Sequence, residues 1–113
     1  MNCLFCDIVD GSVPSDLVFE SEEIVAFRDI NPQAPIHILV IPRAHIDGVG
    51  AMDGTQIGLV GRLILAAVEI SRTQGLTENG FRLAVNQGPD GGQTVGHLHV
   101  HLLGGRRMTW PPG

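Results

Sequence analysis

Three of the chain's five histidines fall within His97-Leu98-His99-Val100-His101. Side chains alternate faces along an extended strand, so this spacing predicts three imidazoles on one face, about 7 Å apart. Leu98, Val100 and Leu102 would then face the other way. Three imidazoles in a row add little to a core, which leaves a solvated strand face, a set of metal ligands, or nucleophilic and acid–base chemistry. The preceding segment, Asn86-Gln87-Gly88-Pro89-Asp90-Gly91-Gly92-Gln93-Thr94, bears on that choice. Alone it also reads as a flexible surface turn. Feeding into a histidine strand, however, a glycine-rich stretch can aim backbone N–H groups at an anion. Asn86, Gln93 and Thr94 add neutral donors suited to phosphate oxygens or a ribose. A metal-dependent hydrolase would want nearby carboxylates, and Asp90 is the one in this stretch. Loop and histidines together favour phosphoryl chemistry at histidine.

These residues need a scaffold. Phe81 to Asn86 reads as the strand leading into the loop, and His97 to Leu103 as the strand leaving it. Leu17-Val18-Phe19 and Ile24-Val25-Ala26-Phe27 predict a hairpin turning at Glu20 to Glu23. A loop through Pro32 and Pro35 precedes a strand at His37 to Ile41, which Pro42 ends. Thr55 to Gln74 predicts one long helix, capped by Gly75. Its apolar positions, among them Ile57, Val60, Leu63, Ala67 and Ile70, cover more than one face, so part is expected to meet a second subunit. Residues 4–10 read as a short turn or helix ended by Gly11 and Pro14. Five strands, mostly in adjacent pairs about one helix, predict an antiparallel α+β fold rather than βαβ units.

The 113 residues suit a single domain, 1–113. Seven basic against twelve acidic residues give a net charge of −5, with no lysine. Nucleic-acid binding needs a dense positive footprint, so that function class is excluded. A hydrophobic share of 43% with 17% charged residues is globular rather than disordered. The start lacks a basic segment followed by an apolar one, and the longest apolar run, around Leu63 to Val68, is short of a membrane span. A cytoplasmic location with no membrane partner is therefore expected. In that compartment Cys3 and Cys6 read as ligands or free thiols rather than a structural disulfide. With no tyrosine, a catalytic phenol is excluded. His37, alone in an apolar strand, is either a satisfied structural histidine or a support that orients the others.

His97 to Leu103 resembles the signature of the histidine triad (HIT) family of nucleotide hydrolases and transferases. Phe27-Arg28-Asp29-Ile30, Gln33-Ala34-Pro35-Ile36-His37, Gly91-Gly92-Gln93, Gly104-Gly105-Arg106 and Trp110-Pro111-Pro112-Gly113 are similar to its Hint branch, the purine nucleoside phosphoramidases. The likeness runs from about Cys3 to the last residue. It implies a homodimer whose two sheets join into ten antiparallel strands. His99 would be the nucleophile, forming a nucleotidyl-histidine that water resolves to nucleoside monophosphate without a metal. His101 would hydrogen-bond the phosphate or bridging atom. Thr94, where the branch usually has serine, would relay a proton to the departing amine. Asn86, Gly92, Gln93 and Val95 would line the phosphate pocket, and Asp29 would hold the ribose hydroxyls. Phe5, Ile8, Phe27 and Ile30 would sandwich the purine, although each also suits a plain core. His37 would stand behind the triad, and Trp110 would reach the partner subunit's site rather than serve as a docking peptide.

Many bacterial members share a Cys-x-x-Cys that binds structural zinc with the histidine after Ile-Pro-Arg-Ala and the first triad histidine. Here that set is Cys3, Cys6, His45 and His97, with free thiols or a redox pair as the other readings. The alternatives in function are a dinucleoside polyphosphate hydrolase of the same family, a nucleotide-binding adaptor with little turnover, and a hydrolase using the triad as metal ligands.

Overall fold

The structure, a computed structural model, describes residues 3–113. Ser21 accepts from the backbone N–H groups of Glu23 and Ile24, and this turn joins β1 (Leu17–Glu20) to β2 (Ile24–Arg28). Beside β2 runs β3 (Ile36–Pro42), antiparallel from Ile24 opposite Pro42 to Arg28 opposite Ile38. β4 (Phe81–Ala84) and β5 (Val100–Gly104) complete an antiparallel sheet ordered β1-β2-β3-β5-β4, five strands among the described residues. The predicted α+β architecture holds.

Strand β3 is apolar on both faces because both faces are covered. Alternate residues Ile38 and Val40 join Val100, Leu102, Leu63, Ala67 and Ile70 beneath the long helix α2 (Ile57–Thr73). Leu39 and Ile41 join Phe5, Val25 and Phe27 beneath the short helix α1 (Leu4–Val9). A strand sandwiched this way loses the polar alternation of a one-sided sheet.

A 3₁₀ turn, Gly54–Gln56, leads into α2 under a capping box in which Asp53 and Gln56 satisfy each other's backbone N–H groups. After α2, Gly75 takes the left-handed conformation, at a φ of 75°, that ends helices without a Cβ penalty. The helix with its entry turn, Gly54–Thr73, has 20 residues and a mean hydropathy of 1.3 over its most apolar window. By length and composition alone it reaches the threshold for a membrane span, although glycines and single charges interrupt its apolar run. One stripe, Leu59, Leu63, Ala66, Ala67 and Ile70, is buried, and Arg62 forks onto Glu23 at 2.6 and 2.9 Å. Ile57, Val60 and Leu65 remain exposed.

Two boundaries differ from expectation. β5 begins at Val100, so His97 and His99 precede it, and β4 stops at Ala84 rather than Asn86. The cause is distant in sequence. The Leu98 N–H donates to the Ile46 carbonyl at 2.6 Å and the His97 ring to the Pro42 carbonyl at 2.9 Å, which bends residues 97–99 off the strand line. Nor is the glycine-rich segment an open coil. Gly88–Gly91 form one helical turn, α3, with a proline in its first positions and left-handed Gly88 and Gly92 at its ends.

Candidate active site

The bend divides the triad. His97 is fully buried and turns toward His45, with ring centroids 5.0 Å apart. His99 and His101 stay together, their centroids 4.9 Å apart and planes 65° apart. The even row of imidazoles about 7 Å apart is therefore replaced by one ring in a thiol cluster and two in a cavity.

The cavity measures about 400 Å³, enough for a nucleotide-sized ligand. Phe5, Ile8, Phe27, Asp29, Ile30, His37, Thr94, Val95, His99 and His101 line it together. Phe5 stands edge-on to Phe27 at 5.3 Å and to His99 at 5.1 Å, so the apolar end is an aromatic corner backing on the histidine pair. Asn86, Gly92, Gln93 and Trp110 are outside this lining. The Gln93 side chain is spent on bracing: it accepts from the Gly88 N–H and donates to the Asp47 and Val95 carbonyls. Trp110 is 81% exposed, with the Arg82 guanidinium 6.0 Å from its ring. Leu4, Val13, Pro14, Ser15, Asn31 and Leu39 also line the cavity and carry no mark in the sequence. Val13 reaches it because its N–H closes onto the Asp7 carbonyl after α1. Arg28 borders the cavity too, but its guanidinium bonds Gln74 and lies 3.4 Å from Asp16.

Hydrogen bonds define which ring nitrogens are bare. The His99 Nδ1–H donates to the His97 carbonyl at 2.6 Å, leaving Nε2 with its lone pair. A second chain starts at the Gln33 N–H, which donates to His37 Nδ1 at 3.0 Å. His37 Nε2 must then carry the hydrogen, and it meets His101 Nδ1 at 2.9 Å. The remaining hydrogen of a neutral His101 sits on Nε2, which is buried and has no partner among the described residues. One backbone N–H thus sets the tautomer of two rings. Burial pushes His101 down to about 4, with His99 and His37 adding to the effect and Asp29 opposing it. Burial also lowers His37 against the pull of Asp29, whose carboxylate lies 3.5 Å from Nε2. Burial thus favours the neutral forms of His37 and His101, and His101 keeps an orphaned donor in the cavity that His99 Nε2 also enters.

The second cluster is built by α1. Cys3 is its N-cap and accepts from the Cys6 N–H at 3.3 Å, which brings the two sulfurs to one side. Cys3 Sγ is 3.4 Å from His97 Nδ1, while Cys6 Sγ is 3.3 Å from His45 Nδ1 and 3.5 Å from His97 Nδ1. All four ligand atoms lie within 4.8 Å of one another. A tetrahedral zinc with ordinary bond lengths has a sulfur–nitrogen edge of about 3.5 Å. His97 Nε2–H donates to the Pro42 carbonyl, and His45 Nε2–H to Asp47 at 2.7 Å. Both rings therefore turn a bare Nδ1 on the thiols, the orientation that metal-bound imidazoles take from their outer partners. Burial and the neighbouring Cys3 push the Cys6 thiol up to about 11, so paired thiolates call for a cation between them. The residues fit a zinc site.

Paired histidines of opposite hydrogen-bonding character, at the start of a central antiparallel strand and beside a nucleotide-sized cavity, define a class of α+β proteins. The HIT domain family model matches residues 10–108, and the chain belongs to that family. It is 46% identical over 112 residues to adenylylsulfatase HINT1 of Arabidopsis thaliana, covering 97% of this chain and 76% of that protein. It is equally identical to a 14 kDa zinc-binding protein of Zea mays, covering 97% and 87%. A HIT family hydrolase from Legionella pneumophila superposes with a TM-score of 0.97 at 48% identity, covering 99% of this chain and all of the other. These relatives support hydrolysis of a nucleotide.

Proposed function

We propose that this protein hydrolyses the P–N bond of purine nucleoside 5′-phosphoramidates through a nucleotidyl-histidine at His99. The observation that carries the reading is the buried pair of complementary nitrogens: His99 Nε2 bare, and His101 Nε2–H without a partner among the described residues. The lone pair of His99 attacks the α-phosphorus while the amine leaves with the electrons of the P–N bond. Thr94 passes that amine a proton and takes one from solvent. The His97 carbonyl steadies the ring as it becomes positive, and His101 donates to a phosphoryl oxygen. Water then attacks phosphorus, the P–N bond to His99 breaks, and the proton consumed in the first step is returned.

Phe5, Ile8, Phe27 and Ile30 hold the purine, and Asp29 holds the ribose. Asn86, Gly92 and Gln93 act on the phosphate through the shape of the loop that ends at Thr94 and Val95. Cys3, Cys6, His45 and His97 would hold zinc, which would tie α1 to residue 97 and reserve His97 for structure. The outer edge of β4 and the exposed Ile57, Val60 and Leu65 of α2 support a homodimer that extends the sheet to ten strands and brings Trp110 to the partner's cavity. The name of the Arabidopsis relative favours a second reading, in which the same attack on phosphorus expels sulfate from an adenylyl sulfate.

The test is AMP release from adenosine 5′-phosphoramidate and from adenylyl sulfate by metal-free and zinc-loaded protein, with His99→Gly as control. Release in both metal states, reduced about 10⁴-fold in the variant, is expected. Release with metal alone would make the triad a ligand set. No release from either substrate, with AMP still bound, would leave a binding module.

A further inference from the structure

The backbone of Gln33 is gripped from both sides. Its N–H donates to His37 Nδ1 at 3.0 Å. Its carbonyl accepts from Arg106, from Nε at 3.1 Å and from Nη2 at 3.0 Å. The third guanidinium nitrogen, Nη1, donates to the Arg107 carbonyl at 3.2 Å, so the plane of the fork is fixed. Arg106 reaches this loop because Gly105 lies against it: a Cβ there would meet Pro35 Cβ at 2.9 Å. The loop needs such a hold. Gln33 is exposed, as are Asn31 and Pro32 before it, so packing does little to fix it. Pro32 has a set φ and Ala34 is confined by Pro35, which leaves the rotations about residue 33 among the softest in the loop. The Gln33 side chain donates to the Asn31 carbonyl, within the same loop. Among the described residues, Arg106 and His37 are the two that bond residue 33 from outside that loop.

We propose that Arg106 is a positioning residue for the reaction at His99: by holding the Gln33 carbonyl it keeps the Gln33 N–H on His37, and so sets which nitrogen of His101 carries a hydrogen. The assignment deepens the phosphoramidase reading, on which its kinetic consequence rests. With the N–H in place, His37 Nδ1 accepts, His37 Nε2–H donates to His101 Nδ1, and His101 keeps its Nε2–H for the cavity. Once the carbonyl is released to water, residue 33 can turn and its N–H leaves His37. Both neutral tautomers of His37 are then open. In the other one, Nδ1 bears the hydrogen, bare Nε2 accepts from His101 Nδ1–H, and His101 Nε2 is left as a lone pair. That lone pair repels a phosphoryl oxygen, where an N–H would stabilise the charge building up on it. The Asp29 carboxylate, 3.5 Å from His37 Nε2, favours the original tautomer, so the loss is partial. His99 is untouched, because its tautomer rests on the His97 carbonyl.

Arg106→Ala is expected to lower kcat for adenosine 5′-phosphoramidate by about tenfold, with KM changed less, because the groups that bind the nucleoside stay in place. Nitrogen-15 spectra of the histidine rings in the ligand-free, zinc-loaded protein read the tautomers directly, since a bare ring nitrogen lies far downfield of one bearing a hydrogen. In Arg106→Ala the two resonances of His37 should move toward each other, and likewise those of His101, while those of His99 stay. Without His37 there is no relay, so Arg106→Ala should cost nothing more in a His37→Leu background. Arg106→Lys keeps the charge but lacks the planar fork, and should fall between alanine and wild type in rate and spectra. Wild-type His37 and His101 resonances in Arg106→Ala, or an equal loss of kcat without His37, overturns the role. A lysine variant equal to wild type in both readings overturns the fork. Should Arg106→Ala melt far below the wild type, Arg106→Lys decides by the same readings. If the wild type itself releases no AMP, the phosphoramidase reading fails, while the ring spectra still decide what Arg106 does.

Discussion

His97 and His99 are two residues apart, both almost fully buried, and each spends one nitrogen on a backbone carbonyl. Their free nitrogens nevertheless differ. His97 bonds through Nε2 to Pro42 and presents Nδ1 to two sulfurs, whereas His99 bonds through Nδ1 to residue 97 and presents Nε2 to the cavity. The chemistry of an imidazole follows from which nitrogen the fold has occupied, and residue type says nothing of that. Exchanging the two effects would break the comparison. His99→Gln is expected to lower single-turnover AMP release by about 10⁴-fold with zinc content and melting temperature unchanged. His97→Gln should lose zinc and melt earlier, since a structural metal contributes folding free energy directly. A loss of zinc in His99→Gln would show that the two rings do not have separate roles.

The next comparison lies within the cavity. His99 takes its tautomer from a local carbonyl, but His101 takes its own from His37 and, behind that, from the Gln33 N–H. Removing this support with His37→Leu should reduce kcat/KM by about 10- to 100-fold, the range for lost outer partners. His37→Gln, whose amide can still donate to His101, should recover part of that. A merely packed His37 would tolerate leucine at least as well as glutamine, and the order of the two variants decides.

The same pair makes the fold sensitive to acid. His37 and His101 are both lowered by burial, His101 to about 4, so the native state favours their neutral forms. Their contribution is fully present above the unfolded value near 6.5 and is lost as pH falls toward 4. Stability at pH 4 should be about 3 kcal/mol below that at pH 7 from His101. The His101→Gln variant should show a shallower decline in melting temperature over that interval. An equal decline would assign the acid sensitivity elsewhere.

What could be read from residue order depended on the range of the interaction. Hairpin, central strand and long helix follow from local patterns, and the structure reproduces them within a few residues. The split triad does not, because the acceptors that bend residues 97–99 sit at Pro42 and Ile46. Alternation within 97–103 says nothing of carbonyls fifty residues away. The thiol cluster spans 94 positions between Cys3 and His97, and a resemblance, not spacing, pointed to it. His37 is buried and bonded through each nitrogen, an arrangement that either of its readings predicts. Gln93 reads in sequence as a phosphate donor, yet its amide braces two loops. That role has no signature in sequence, since a buried amide and a ligand-facing amide look alike on paper.

The smallest expected effect tests how the two regions are joined. Helix α1 and its N-cap divide their duties: Cys3 and Cys6 face His45 and His97, while Leu4, Phe5 and Ile8 line the cavity. Phe5 touches both halves, with ring centroids 6.0 Å from His97 and 5.1 Å from His99. A six-residue helix has little stability of its own, so its place depends on these ties. Chelation should therefore loosen the apolar wall while leaving the His99 tautomer, which rests on the backbone, in place. Losing most of one aromatic contact weakens AMP binding by about tenfold at about 1.4 kcal/mol. The rate at saturating substrate should change less than the affinity. Hydrogen exchange across residues 4–10 should rise in step with the loss of affinity. If chelation lowers the saturated rate and leaves AMP affinity alone, the metal acts on the reacting end of the cavity, and the division between the regions fails.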